Sequence, residues 1–198
     1  MNTAATTLAT ESPAWPALSK GRVGMASLII AESTIFTIFV VAYLYNIGKS
    51  VSGPAPQQVL ELPILNSLCL LSSSVTIMLA ERALSKSNIN RFGFWWLATI
   101  ALGGYFLFGT GVEWHHLIYD KGLTIQTNLF GTTFYSLVGL HAFHVIVGLI
   151  ALLIVMGLTW IGAVNREHTE RIGVLTLYWH FVDVVWIIVF AVVYIIGR

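Results

Sequence analysis

The chain has 198 residues, 57% of them hydrophobic and only 10% charged, with a formal net charge of +1. That balance lies outside ordinary soluble domains and points to an integral membrane protein, while near-neutrality removes the electrostatic case for nucleic acid as a partner. The single cysteine, Cys69, sits in an apolar run, closes no internal disulfide and builds no thiolate cluster, so it reads as core filling.

Residues 1–21 form a polar tail of Ser, Thr, Ala and Pro without the apolar centre of a secretory signal. The membrane domain follows over 22–198. About 20 apolar residues at 1.5 Å rise cross a hydrocarbon core of roughly 30 Å. Five stretches meet that requirement, near 23–47, 63–84, 92–112, 130–160 and 173–196. The fold class is therefore an all-α bundle of five transmembrane helices. The fourth stretch exceeds what a bilayer needs, which predicts tilt or a projecting end. Turn-rich residues connect the spans at 49–56 and 120–122, and charged ones at 81–91 and 165–171.

Basic residues divide unevenly between the two sides. Lys20, Arg22, Arg82, Lys86, Arg91, Arg166 and Arg171 fall with the N-terminus, against Lys49, Lys121 and Arg198 opposite. The positive-inside bias then places the N-terminus in the cytoplasm and the C-terminus outside. Trp95, Trp96, Trp114, Tyr119 and Trp160 lie near span ends, as an interfacial aromatic belt requires. Runs such as Ser72-Ser73-Ser74, and Gly139 with Gly148, read as close helix packing.

Ionisable residues at membrane depth are the candidate functional groups. An aspartate at a helix centre costs roughly 2.5–3.5 kcal/mol on the insertion scale, so it faces a partner helix, water or a headgroup. Glu32 lies about 15 Å into the first span and must be protonated or paired. Asp183 lies at similar depth in the fifth span, and His180 shares its face at i, i+3. In the fourth span His141 and His144 have the same spacing, compatible with metal ligation or with neutral contacts to a carboxyl or a headgroup. Glu113, with His115 and His116, closes the third span at the interface.

Six histidines with one HxxH pair fall short of a di-iron desaturase. A heme b anchor would need His141 or His144 opposite His180, which supplies one pair at most. A small proton-coupled transporter using Glu32 and Asp183 is the other alternative, although no repeat or interrupted span accompanies them. No nucleophile elbow or phosphate loop is present. Covalent chemistry by this chain alone is not expected.

The ordered motifs resemble subunit III of the heme–copper respiratory terminal oxidases. They are Ala31-Glu32-Ser33-Thr34-Ile35-Phe36, Gly111-Val112-Glu113-Trp114, Gly139-Leu140-His141-Ala142-Phe143-His144-Val145-Ile146-Val147-Gly148 and Tyr178-Trp179-His180-Phe181-Val182-Asp183-Val184-Val185-Trp186. The resemblance implies a subunit without heme or copper, packed against catalytic subunit I, with subunit II and other oxidase or respiratory-chain subunits nearby. The complex reduces oxygen to water and pumps protons across the bacterial cytoplasmic membrane. It also implies bound phospholipids, protection of the catalytic subunit from turnover damage, and help with proton uptake.

Glu32 falls on the family's buried, carbodiimide-reactive glutamate. His141, His144, His180, Asp183 and Glu113 are carried over as interhelical or lipid contacts, with no metal. Mitochondrial members have seven spans and this chain five, a form familiar among bacterial cytochrome c and quinol oxidases. The resemblance leaves the electron donor open, because the donor binds elsewhere in the complex.

Overall fold

A computed structural model describes residues 19–50 and 53–197; most of the polar tail, and Arg198, lie outside the described residues. Six α-helices follow in order: α1 Lys20–Asn46, α2 Pro56–Val59, α3 Ile64–Ser85, α4 Ile89–Tyr119, α5 Leu129–Trp160 and α6 Thr169–Phe190. A 3₁₀ turn, Arg166–His168, precedes α6, and a π-helical turn, Ala191–Ile196, continues it. Among the described residues five helical segments are long and apolar enough to cross a membrane, as the sequence predicts. Hydrocarbon offers no partner for a free N–H or C=O, so spanning segments satisfy their backbone internally as helices.

Local chemistry sets the ends. Side chains of Ser19, Asn88 and Asn128 accept from the backbone N–H groups of Arg22, Arg91 and Gly131, capping α1, α4 and α5. At the far end of α5, Gly162 takes φ +74°, a left-handed turn that a residue with a Cβ resists. The third span outruns its expected 92–112 limit at both ends. Hydropathy marks where the lipid ends, whereas the helix runs on through Glu113, His115 and His116. The short α2, with Pro56 at its first position, was not anticipated from the sequence.

The helices alternate in direction, so one end of the bundle gathers Lys20, Ser85, Ile89, Trp160 and Thr169, and the other gathers Asn46, Ile64, Tyr119, Leu129 and Ile196. They stack in three layers. α5 and α6 form the middle; α1 packs on both from one side, while α3 and α4 lie opposite, α3 against α6 and α4 against α5. Only Phe36 and Tyr43 of α1 are buried, and Ile30, Ile38 and Val41 point outward.

Apolar burial contributes little between helices in lipid, because acyl chains are as apolar as leucine; close packing and hydrogen bonds hold such a bundle. Trp179 of α6 shows both. Its ring lies where Cβ atoms at Gly103 and Gly148 would come within 2.9 and 2.8 Å, so α4 and α5 each present a glycine to it. Its Nε1 donates to Ser73 Oγ of α3 at 2.8 Å. Trp186 Nε1 donates likewise to Ser67 Oγ at 3.1 Å, and Trp96 Nε1 to the Leu152 carbonyl at 2.9 Å.

Hydroxyls that face outward bond back to their own helix. Ser33 and Thr37 of α1 donate to the carbonyls of Ile29 and Ser33, each at 2.7 Å. That removes the cost of a free hydroxyl at membrane depth.

Candidate functional site

The buried polar groups form separate clusters between particular helices. The first joins α1 to α5. Glu32 Oε2 lies 3.2 Å from His144 Nε2, with the histidine side chain 8% and the carboxyl side chain 23% exposed. His144 Nδ1 is 2.8 Å from the Leu140 carbonyl one turn earlier. A carbonyl only accepts, so Nδ1 carries the hydrogen of that bond. The carbonyl of His144 in turn accepts from Tyr178 Oη of α6 at 3.1 Å, and Phe36 packs on the ring at 5.0 Å between centroids. α1 and α5 therefore orient the imidazole, and α6 ties down its backbone.

The second cluster joins α3 to α6. Ser74 Oγ lies 2.9 Å from His180 Nδ1 and hydrogen-bonds Asp183 Oδ2. His180 and Asp183 share a face, as their spacing predicts, and a single hydroxyl links them. Asp183 is 3% exposed, and its Oδ1 is buried without a hydrogen-bond partner. Between α3 and α4, Thr76 and Thr99 share a hydrogen bond of 2.8 Å.

The third cluster lies toward the Asn46 end. Tyr194 Oη donates to Glu113 Oε1 at 2.9 Å, tying α4 to the π-helical turn. Glu113 also borders a cavity of about 450 Å³ together with Glu61, Asn66 and His116. His116 pairs with Asp120 at 2.6 Å, both of them well exposed.

Some expectations need correction. His141 and His144 share helical spacing but not surroundings. His141 is fully buried, stacked on Trp186 at 5.0 Å and edge-on to Phe106 at 5.8 Å, with neither ring nitrogen hydrogen-bonded among the described residues. The polar contact expected of it is an aromatic one instead. Ser73 and Ser74, read as packing residues, are hydrogen-bonding hubs. Spacing within α3 could not reveal this, because their partners lie more than a hundred residues later. Tyr178 and Tyr194 were likewise not singled out, although an aromatic hydroxyl inside a span is itself a signal that it has a partner.

Glu32 and Asp183 belong to different clusters, one between α1 and α5 and the other between α3 and α6, and no hydrogen bond joins them among the described residues. Among the described residues no group of three or more His, Cys, Asp or Glu side chains converges as a metal site. The arrangement can hold the helices in register through interhelical hydrogen bonds.

Comparison with known proteins agrees with this architecture. Residues 14–198 match the family described as Cytochrome c oxidase subunit III. The chain is 34% identical over 177 residues to cytochrome c oxidase subunit 3 of Alkalihalophilus pseudofirmus, covering 84% of this chain and 82% of that one. It is 37% identical over 180 residues to the subunit 3 of Synechocystis, covering 87% and 74%. Against the cytochrome bo(3) ubiquinol oxidase subunit 3 of Pseudomonas aeruginosa it is 32% identical over 171 residues, covering 85% and 81%. With a match that takes in every helix and each of the three polar clusters, this chain belongs to the subunit III family of the heme–copper terminal oxidases.

Proposed function

We propose that this chain is the accessory third subunit of a proton-pumping heme–copper terminal oxidase in aerobic respiration. The observation that carries the reading is the family match over residues 14–198, which leaves no helix outside it. In this reading heme and copper reside in catalytic subunit I, against which the chain packs together with subunit II, and this chain has no active site of its own. The engagement of its buried groups supports that view. His144 is held by Glu32 and the Leu140 carbonyl, and His180 by Ser74.

The chain sits in the bacterial cytoplasmic membrane with its N-terminus on the cytoplasmic side, a placement supported by the excess of Lys and Arg at the Lys20 end. Phospholipids cover its outward apolar faces. The Glu32–His144 pair, at membrane depth and partly open on the Glu32 side, supports proton uptake into the complex. A transporter would be expected to break its helices near the bilayer midplane. Here α1 and α6 run unbroken through Glu32 and Asp183.

Purification in mild detergent tests the proposal. The chain is expected to migrate with heme-containing subunits and oxygen-reducing activity; migration alone, without them, overturns it.

A further inference from the structure

Four tyrosines are buried, Tyr43, Tyr135, Tyr178 and Tyr194, and their hydroxyls meet different surroundings. Tyr135 Oη donates to the Leu123 carbonyl at 2.8 Å and Tyr178 Oη to the His144 carbonyl at 3.1 Å, while Tyr43 Oη has no partner among the described residues. The buried indoles of Trp96, Trp179 and Trp186 likewise donate to a backbone carbonyl or a serine hydroxyl. Tyr194 differs from all of these: among the described residues it is the one tyrosine whose hydrogen goes to a carboxyl, Glu113 Oε1 at 2.9 Å. A carbonyl or a serine shares such a hydrogen without being basic enough to take it. A carboxylate takes it, and 2.9 Å is within the reach of direct proton transfer.

The π-helical turn Ala191–Ile196 carries Tyr194 to this contact. π turns are rare and occur mostly at functional positions. The Tyr194 ring is 1% exposed, stacks on Phe190 at 5.6 Å between centroids and lies 6.3 Å from the Trp186 ring. Trp186 in turn meets Phe106 edge-on at 4.7 Å. On the other side of the contact, Glu113 borders the cavity of about 450 Å³ at the Asn46 end, and Glu61 and His116 in the same lining are exposed. An oxidisable ring thus sits between an aromatic stack and a base with access to water.

A phenol that loses an electron becomes a strong acid. The loss is favourable only where a base takes the proton in the same event, because a buried radical cation would otherwise be stranded without solvation. We propose that Tyr194 is a redox-active tyrosine, the site in this bundle where an electron vacancy comes to rest, with Glu113 as its proton acceptor. The oxidant is of the lipid peroxyl radical class. It draws one electron from Tyr194 by way of the Trp186 and Phe190 rings and becomes a peroxide anion, which takes a proton from water to give the hydroperoxide. The phenolic proton crosses to the Glu113 carboxylate, leaving a neutral tyrosyl radical beside a carboxylic acid. A quinol then returns one electron and loses one proton to water as it becomes a semiquinone radical, while Glu113 gives its proton back to Tyr194 Oη. Tyr135 and Tyr178, facing carbonyls, have no such acceptor. This activity goes beyond the reading of the chain as an accessory subunit.

The test uses the complete oxidase complex, inhibited with cyanide, illuminated with tris(bipyridine)ruthenium(II) and persulfate, frozen at once and read by electron paramagnetic resonance. A tyrosyl signal is expected that falls at least threefold in Tyr194→Phe and in Glu113→Gln, whose amide cannot take a proton, and is unchanged in Tyr135→Phe, each scaled to heme content. Unmodified complex moved into heavy water before illumination gives a readout that needs no variant. Its radical should couple strongly to one exchangeable deuteron, the one transferred to Glu113. No tyrosyl signal in the unmodified complex, an equal signal in Tyr194→Phe, or an equal loss in Tyr135→Phe overturns the proposal. So does an unaltered signal in Glu113→Gln, or a radical without the coupled deuteron, since either removes Glu113 as the acceptor.

Discussion

Glu32 of α1 and His144 of α5 meet at a single contact, Oε2 to Nε2 at 3.2 Å. His144 donates from Nδ1 to the Leu140 carbonyl, so its Nε2, 3.2 Å from Glu32 Oε2, is either a bare acceptor facing a protonated carboxyl or an N–H facing a carboxylate. The two arrangements differ by the transfer of one proton over that hydrogen bond; Phe36 packs on the ring, and Tyr178 Oη donates to the backbone carbonyl of His144.

Replacing Glu32 by Gln keeps a donor toward Nε2 and removes the acid. Assembly should persist, and carbodiimide labelling of the α1 peptide should vanish while labelling elsewhere is unchanged. Glu32→Leu instead leaves Nε2 buried without a partner, at a cost of about 1–3 kcal/mol. Peptide mapping after labelling, with thermal unfolding in detergent, checks both; persistent labelling of the α1 peptide in the Gln variant would show that another carboxyl reacts.

The Ser74 hydroxyl serves two partners at once. Ser74→Ala leaves the buried Asp183 carboxyl unpaired and Asp183→Leu removes one of the two partners of the Ser74 hydroxyl, so each should weaken retention of the subunit through detergent exchange. Their combination should cost less than the sum of the two, with a coupling of about 0.5–3 kcal/mol. Additive losses would mean that the bridge is not an energetic unit.

Gly148→Ala sets a methyl group 2.8 Å from the Trp179 ring, and Gly103→Ala sets one 2.9 Å from it. Overpacking of this kind costs about 1–3 kcal/mol. Gly104→Ala and Gly157→Ala meet nothing within 4 Å and should be neutral or slightly stabilising, since alanine is the better helix former by about 1 kcal/mol. Melting of the four variants in one detergent separates the pairs, and equal melting would remove Trp179 as the wedge that sets the α4–α5–α6 spacing.

The subunit separated from its complex is expected to show no Soret absorbance and to hold no stoichiometric copper or iron. Optical spectra and elemental analysis check this. Tightly bound heme would mean that His141 or His180 leaves its present neighbours to become a ligand.

The number of spanning helices, their alternation and the depth of each titratable group follow from the sequence alone. Hydrocarbon thickness sets a length that only apolar runs meet, and a rise of 1.5 Å per residue converts position into depth. The common face of His180 and Asp183 was legible for the same reason, as a property of one helix. Partner choice was not. Which helix Glu32 meets, why His141 turns to Trp186 while His144 turns to Glu32, and how Ser74 comes to join His180 to Asp183 depend on the rotation of each helix about its axis. Those rotations are set by contacts between residues far apart in the chain, such as Gly148 against Trp179, and only the packed bundle decides them.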